Sequence, residues 1–261
     1  MNFVTSKDGT KIAYEKVGSG SPLVLVGGGL CDRKTSSCGT PLAALLASNF
    51  TVYCYDRRGR GDSGGGNTEP YSVQCEIDDL KALVAKIGEP VYLYGMSSGG
   101  FLSMKAIAAG LAVNKLVVYE PPFSTQSDEI NQWKRYVIDV KKHIAKRQYS
   151  EAATLFMKTA GMPSFMVKII KLTPIWKKVV KLAPTLAYDA EIVKDRVLPT
   201  KDWLVNIPTT VIDGGKSPVS LRESAKKLAQ ILPQAAYLTL LGQTHNVNPK
   251  PLALAITNSL K

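Results

Sequence analysis

Apolar and polar positions along the chain alternate between two periods. Asn2–Thr5 and Lys11–Val17 read as short strands joined at Asp8-Gly9, a hairpin turn whose residues tolerate positive φ. Leu23–Val26 is an unbroken apolar, β-branched run, the pattern of a strand buried on both faces of a parallel sheet. Helical and strand signals then take turns: a helix over Pro41–Ser48, a strand over Phe50–Tyr55, a helix over Ser72–Ile87 and a strand over Val91–Tyr94. A helix over Ser98–Ala109 and a strand over Lys115–Tyr119 complete the first series. After an interruption the alternation resumes, with strands over Thr209–Ile212 and Ala236–Leu241 and helices over Val219–Leu232 and Leu252–Leu260. Such alternation predicts an α/β fold, a mostly parallel sheet of eight strands with helices on both faces.

The interruption, Pro121–Ile207, offers no strand. Helical spacing runs through Glu129–Lys146, Glu151–Thr159 and Phe165–Leu172, broken at Pro163, Pro174, Pro184 and Pro199. The expected organisation is a core of residues 1–120 and 208–261, with 121–207 inserted after the sixth strand as a helical cap. Such a cap would lie over the carboxyl ends of the strands, where open α/β sheets bind ligands.

At 261 residues, 45% hydrophobic and 21% charged, the chain is ordinary in composition, which excludes disordered, collagenous and coiled-coil classes. No apolar run approaches the ~18 residues of a membrane span, and the first ten residues lack a signal peptide's apolar stretch. A cytoplasmic location is therefore expected. Cys31, Cys38, Cys54 and Cys75 show no CxxC spacing, so reduced thiols are expected and no metal site. The formal charge is +12, from 33 basic and 21 acidic residues. Fifteen Lys/Arg against seven Asp/Glu fall between Gln126 and Lys201, so +8 of that excess sits in the insertion.

The strand over Val91–Tyr94 runs into Gly95-Met-Ser97-Ser98-Gly99-Gly100 and then a helix. G-x-S-x-G between a strand and a helix describes a sharp turn that leaves the serine hydroxyl clear of the sheet, with glycines where a Cβ would collide. A nucleophilic serine needs a base, and the chain has only His143 and His245. His143 lies in the basic run Val140-Lys-Lys-His-Ile-Ala-Lys-Arg147, a solvated helix face. His245, in Leu241-Gly-Gln-Thr-His245, follows the last strand at the sheet edge where Ser97 also stands, and is the better proton acceptor.

With these residues the chain resembles the α/β-hydrolases over essentially its whole length. Asp56-Arg-Arg58-Gly59-Arg-Gly61-Asp-Ser63 is similar to that family's structural D-x-R-G-x-G-x-S loop. The resemblance implies the α/β-hydrolase fold with a helical cap, Ser97 as nucleophile and His245 as base. Where the family has His-Gly after the third strand, this chain has Val26-Gly27-Gly28-Gly29-Leu30, so the oxyanion hole would use the Gly29 and Ser98 N–H groups. The family's usual acid position is vacant: Gly214-Gly-Lys-Ser217-Pro218 carries serine there. Two carboxylates are open, Asp213 at the end of the seventh strand and Glu120 at the end of the sixth. Glu120 matches the acid of a minority that includes zearalenone-type lactone hydrolases, and it is preferred here with Asp213 as the alternative.

The activity implied is hydrolysis of a carboxylic ester or lactone through an acyl-enzyme on Ser97, without cofactor. Other chemistry on the same serine (C–C hydrolysis, acyl transfer, cofactor-free perhydrolysis) and a non-catalytic small-molecule receptor are the alternatives. The partner expected is a small molecule with an apolar group, for which Leu30, Phe165, Met166, Trp176 and Tyr188 are candidate pocket walls. Lys168–Leu182 interleaves cations with bulky apolar residues. That pattern reads as amphipathic cap helices with lysines in water or, more sharply, as a contact with anionic membrane. No nucleic-acid motif is present, and no nucleic-acid partner is expected.

Overall fold

A computed structural model describes residues 1–65, 71–124, 126–194, 196–200 and 203–261. The chain opens with β1 (Asn2–Thr5) and β2 (Lys11–Val17), an antiparallel pair whose turn is held by a bond from the Thr10 N–H to Asp8. Next come β3 (Ser21–Val26), α1 (Thr40–Leu46), β4 (Phe50–Tyr55), α2 (Val73–Ile87), β5 (Val91–Met96), α3 (Ser98–Ala108) and β6 (Val113–Tyr119). Five helices follow: α4 (Ser127–Ala145), α5 (Tyr149–Thr159), α6 (Ser164–Lys171), α7 (Ile175–Leu182) and α8 (Leu186–Val193). The chain then returns to the sheet through β7 (Thr209–Gly214), α9 (Val219–Ile231), β8 (Ala235–Leu240) and α10 (Pro249–Leu260). Pro174 precedes α7 and Pro184 lies in the short 3-10 turn before α8, so the breakers fall between helices.

The eight strands among the described residues form one sheet in the order β1-β2-β4-β3-β5-β6-β7-β8, antiparallel in its first two pairings and parallel in the rest. This is the mostly parallel sheet that the alternating pattern predicts, in the arrangement that the resemblance to the α/β-hydrolases implies. One apolar cluster joins the sheet to α1 and α10 through Leu42, Leu46, Leu252 and Ile256. The cluster on the other face holds Leu80, Leu83, Phe101, Leu102 and Leu228, and it continues through Phe123 into Trp133, Tyr136, Val179 and Leu186 of the helical insertion. The insertion thus shares its core with the sheet. Strand order reverses between β3 and β5, so the loops leaving these neighbours diverge and open a crevice at the carboxyl edge.

Candidate active site

Ser97 follows β5 directly, with φ 53° and ψ −124°, a conformation non-glycine residues rarely adopt. Register fixes it: Met96 pairs with Tyr119 in β6, and the Ser97 N–H donates to the Tyr119 carbonyl at 2.9 Å. The chain turns immediately into α3, tightly enough that a Cβ on Gly99 would stand 2.3 Å from the Val26 carbonyl oxygen. Only glycine lets α3 seat against the loop that leaves β3.

Glu120 occupies the corresponding place one strand over. It follows β6, is fully buried and has φ 44°, and its N–H donates to the Ile212 carbonyl of β7 at 3.0 Å. Its carboxylate is divided between two partners. Oε1 accepts the Gly214 N–H at 2.7 Å, and Oε2 lies 2.7 Å from Nδ1 of His245. The His245 side chain stays 30% exposed. Its loop is anchored by the Tyr119 hydroxyl, which donates to the Thr244 carbonyl at 2.7 Å. Gly214 permits this closure, since a Cβ there would lie 2.6 Å from the Gln243 carbonyl oxygen and 2.7 Å from the Tyr119 hydroxyl. Tyr119 thereby supports both Ser97 and the loop of His245.

Asp213 is placed otherwise. Its Oδ2 accepts the Tyr237 hydroxyl at 2.6 Å and sits 3.7 Å from the Arg222 guanidinium, so its partners come from β8 and α9. His143 bonds Gln148 on the insertion, at 2.9 Å. The four cysteines are free thiols, and burial pushes that of Cys54 up to about 12.

Beside Ser97 runs the loop Gly27–Leu30, where a Cβ on Gly28 would reach within 3.0 Å of the Ser97 Cβ. Two buried arginines hold this loop by its carbonyls: Arg57 donates to the Gly27 oxygen at 3.2 Å, and Arg60 donates to the Gly28 oxygen. In a planar trans peptide the N–H points opposite the carbonyl. Anchoring the Gly28 carbonyl on Arg60 therefore turns the Gly29 N–H away from the guanidinium. The Ser98 N–H, in the first turn of α3, belongs to the helix-terminal donors that have no partner within the helix.

The charges of both arginines meet one carboxylate from the insertion. Asp189, buried on α8, lies 2.8 Å from Arg57 through Oδ1 and 2.7 Å from Arg60 through Oδ2, and Oδ1 also accepts the Ser98 hydroxyl at 2.7 Å. Arg57 makes a bidentate pair with Glu76 of α2, at 2.6 and 2.7 Å. Burial alone would raise the Asp189 pKa; the charges of Arg60 and Arg57 and the Ser98 bond outweigh it and hold the carboxyl below its ordinary value. A single aspartate of the insertion thus touches the residue after Ser97 and the arginine that orients the glycine loop. The D-x-R-G-x-G-x-S resemblance marks the arginine loop as structural, but nothing in the linear pattern singles out Asp189 from the other acids of a basic segment.

The remaining residues considered from the sequence fall in different places. Leu30 is half-buried at the end of the glycine loop, with φ 55°. Tyr188 is buried, its ring stacked on Tyr71 with centroids 4.0 Å apart. Trp176 is half-buried under the Lys171 ammonium, 5.2 Å from its ring. Phe165 and Met166, expected as pocket walls, present their side chains to solvent on α6. The aromatic ring that does meet the glycine loop is Phe156 of α5, whose edge would lie 2.8 Å from a Cβ on Gly29. Helical spacing marks α5 as amphipathic without saying which helix covers the loop, so Phe156 escaped the sequence reading.

This geometry belongs to a known class. The family model described as the alpha/beta hydrolase family matches residues 23–256, and the chain belongs to that family; it is a hydrolase. It is similar in structure to an alpha/beta hydrolase from Sphaerobacter thermophilus, at 40% identity over 100% of both chains with a TM-score of 0.89. The esterase RhEst1 from a Rhodococcus species shares the fold at 21% identity, with a TM-score of 0.74 over 98% of this chain and 97% of that one. A non-heme haloperoxidase from Rhodococcus erythropolis is 31% identical over 137 residues. That match spans 49% of this chain and about half, 47%, of the relative.

Proposed function

We propose that the protein is a serine hydrolase that cleaves a carboxylic ester or lactone, with Ser97 as nucleophile, His245 as general base and Glu120 as the acid that orients it. The observation that carries this reading is the divided carboxylate of Glu120: one oxygen on the Gly214 N–H, the other on His245 Nδ1. A carboxylate on Nδ1 keeps the ring proton there, leaving Nε2 free to accept a proton. Ser97, on the adjacent strand end, attacks the carbonyl carbon while His245 takes its proton. The oxyanion that forms is received by the N–H groups of Gly29 and Ser98. His245 returns the proton to the leaving alcohol, and water attacks the acyl-enzyme by the same route to release the acid and restore the hydroxyl. These side chains and water suffice, so no cofactor enters the scheme. Residues 121–207 serve as the cap, with Phe156 and Leu30 as apolar walls beside the reacting carbonyl.

Incubation with a fluorophosphonate probe tests the reading. Mass spectrometry should find one adduct, on Ser97, and the wild type should turn over a panel of p-nitrophenyl esters and lactones. A folded protein that leaves Ser97 unmodified would refute it.

The likeness to a haloperoxidase favours one second reading on the same residues, in which hydrogen peroxide replaces water in attacking the acyl-enzyme and leaves as a peracid. Bromide oxidation that requires both peroxide and a carboxylic acid, and is lost in S97A, would support it.

A further inference from the structure

We infer that the α6–α7 face of the insertion is a docking surface for an anionic lipid bilayer. Two consecutive helices turn bulky apolar side chains outward: Phe165 is 65% exposed, Ile169 57%, Leu172 88% and Ile175 63%. Phe165, Ile169 and Leu172 recur at i, i+4 and i+7, a single stripe, while Val167 on the opposite side of α6 is buried. Just past the turn, Ile175, the first residue of α7, adds a further exposed apolar side chain. A contiguous exposed apolar surface of this kind marks an interaction site in a chain of otherwise ordinary composition.

Charge identifies the occupant. Lys158 of α5, Lys168 and Lys171 of α6, and Lys177, Lys178 and Lys181 of α7 make these helices strongly basic, with no Asp or Glu between residues 152 and 188, although the α7 lysines line a hollow that Asp32 and Asp62 also reach. Lys178 pairs with Asp32 at 2.9 Å, and the Lys171 ammonium lies over Trp176. Lys158, Lys168, Lys177 and Lys181 are exposed and make no ion pair among the described residues. An apolar stripe on helices rich in lysine suits insertion at the level of lipid headgroups, with lysines on the phosphates. A second copy would instead bring two lysine-rich helix pairs of the same sign together. No helix among the described residues is long and apolar enough to cross a membrane, so the contact lies along the surface. Since α5 carries Phe156 at the glycine loop and packs on α6 and α7, docking would hold the proposed site close to the bilayer.

Vesicle co-sedimentation of the full chain decides the matter. Phosphatidylcholine vesicles with about 30% phosphatidylserine should pellet the protein at about 0.01 M salt and release it near 1 M, where the Debye length falls from about 30 Å to about 3 Å. Pure phosphatidylcholine should retain far less. The variant K168Q/K177Q/K181Q should partition roughly a hundredfold more weakly, at about fivefold per lysine. I169S/L172S should also lose binding while keeping its fold by circular dichroism and its rate on a soluble ester. S97A should bind as the wild type does, which separates this outcome from the hydrolase reading. Absence of binding to anionic vesicles at low salt would overturn the inference, as would equal binding to both vesicle types. A dimer in sedimentation equilibrium that I169S/L172S dissociates would reassign the stripe to a second copy.

Discussion

Replacing Glu120 with glutamine keeps the shape of the side chain and changes one oxygen to an NH2, and the two contacts of the carboxylate determine how the amide must sit. The Gly214 N–H, 2.7 Å from Oε1, needs an acceptor, so the amide oxygen takes that side and the NH2 faces His245 Nδ1. Nδ1 must then accept, which moves the ring proton to Nε2, the nitrogen that in the proposed scheme receives the proton of Ser97. The reverse orientation keeps the useful tautomer but aims the NH2 at the Gly214 N–H. A buried donor without an acceptor costs about 1–3 kcal/mol, leaving that orientation at roughly 1–15% of the population. The second loss is charge. A carboxylate about 4 Å from the imidazolium is worth about 4 kcal/mol at an effective dielectric of ~20, a further factor of ~10³. Together these predict a fall in kcat of about 10⁴ with KM little changed, the size seen when other triads lose their acid. Initial rates on a p-nitrophenyl ester measure it, with D213N as the control. Asp213 serves Tyr237, so D213N should stay within about tenfold of wild type. The reasoning fails if E120Q keeps more than about a tenth of the rate, or if D213N loses as much as E120Q.

Four further outcomes follow from the same geometry. S97A should lower kcat by about 10⁶ with its fold intact by circular dichroism. S97G should be equally inactive yet melt higher, because glycine relieves a conformation that costs about 1–3 kcal/mol at φ 53°; calorimetry that ranks it below S97A would remove the strain argument. D189N leaves Arg57 with Glu76 alone and Arg60 with an uncompensated buried charge, costing about 3–5 kcal/mol, or a Tm lower by roughly 6–20 °C at about 2–4 °C per kcal/mol. The pH dependence of that pair has a definite sign. The Asp189 pKa lies below the ordinary 3.8 in the folded state, so its contribution is complete above 3.8 and fades as pH falls through the lower folded value. Acid denaturation of wild type against D189N should show their difference in stability shrinking only in that acidic window.

Much of this was legible before any coordinates. The buried strands announce themselves because parallel strands covered on both faces need continuous apolar runs, as in Leu23–Val26 and Leu116–Tyr119. The places of Ser97 and His245 at the strand ends were readable because their surroundings are local: glycines around a turn, an imidazole after a strand. Edges were less so. β5 runs to Met96 and β7 to Gly214, since ladder bonds to neighbouring strands carry pairing past the apolar run. Least legible was the insertion. Helical periodicity shows that α6 has an apolar stripe but not which way it faces, so Phe165 and Met166 read as pocket walls although they meet solvent. Asp189 was hidden for a similar reason. Its partners stand 129 and 132 positions away, and no local pattern encodes a pairing at that range.

The Asp189 anchorage also bears on how molecules come and go. A helix pinned to two guanidinium groups and to the residue beside Ser97 cannot swing outward as a lid without stripping a carboxylate from both. In the proposed function, a molecule reaching Ser97 would therefore have to do so by a route that leaves α8 seated, and the width of that route, not a swing of α8, would select it.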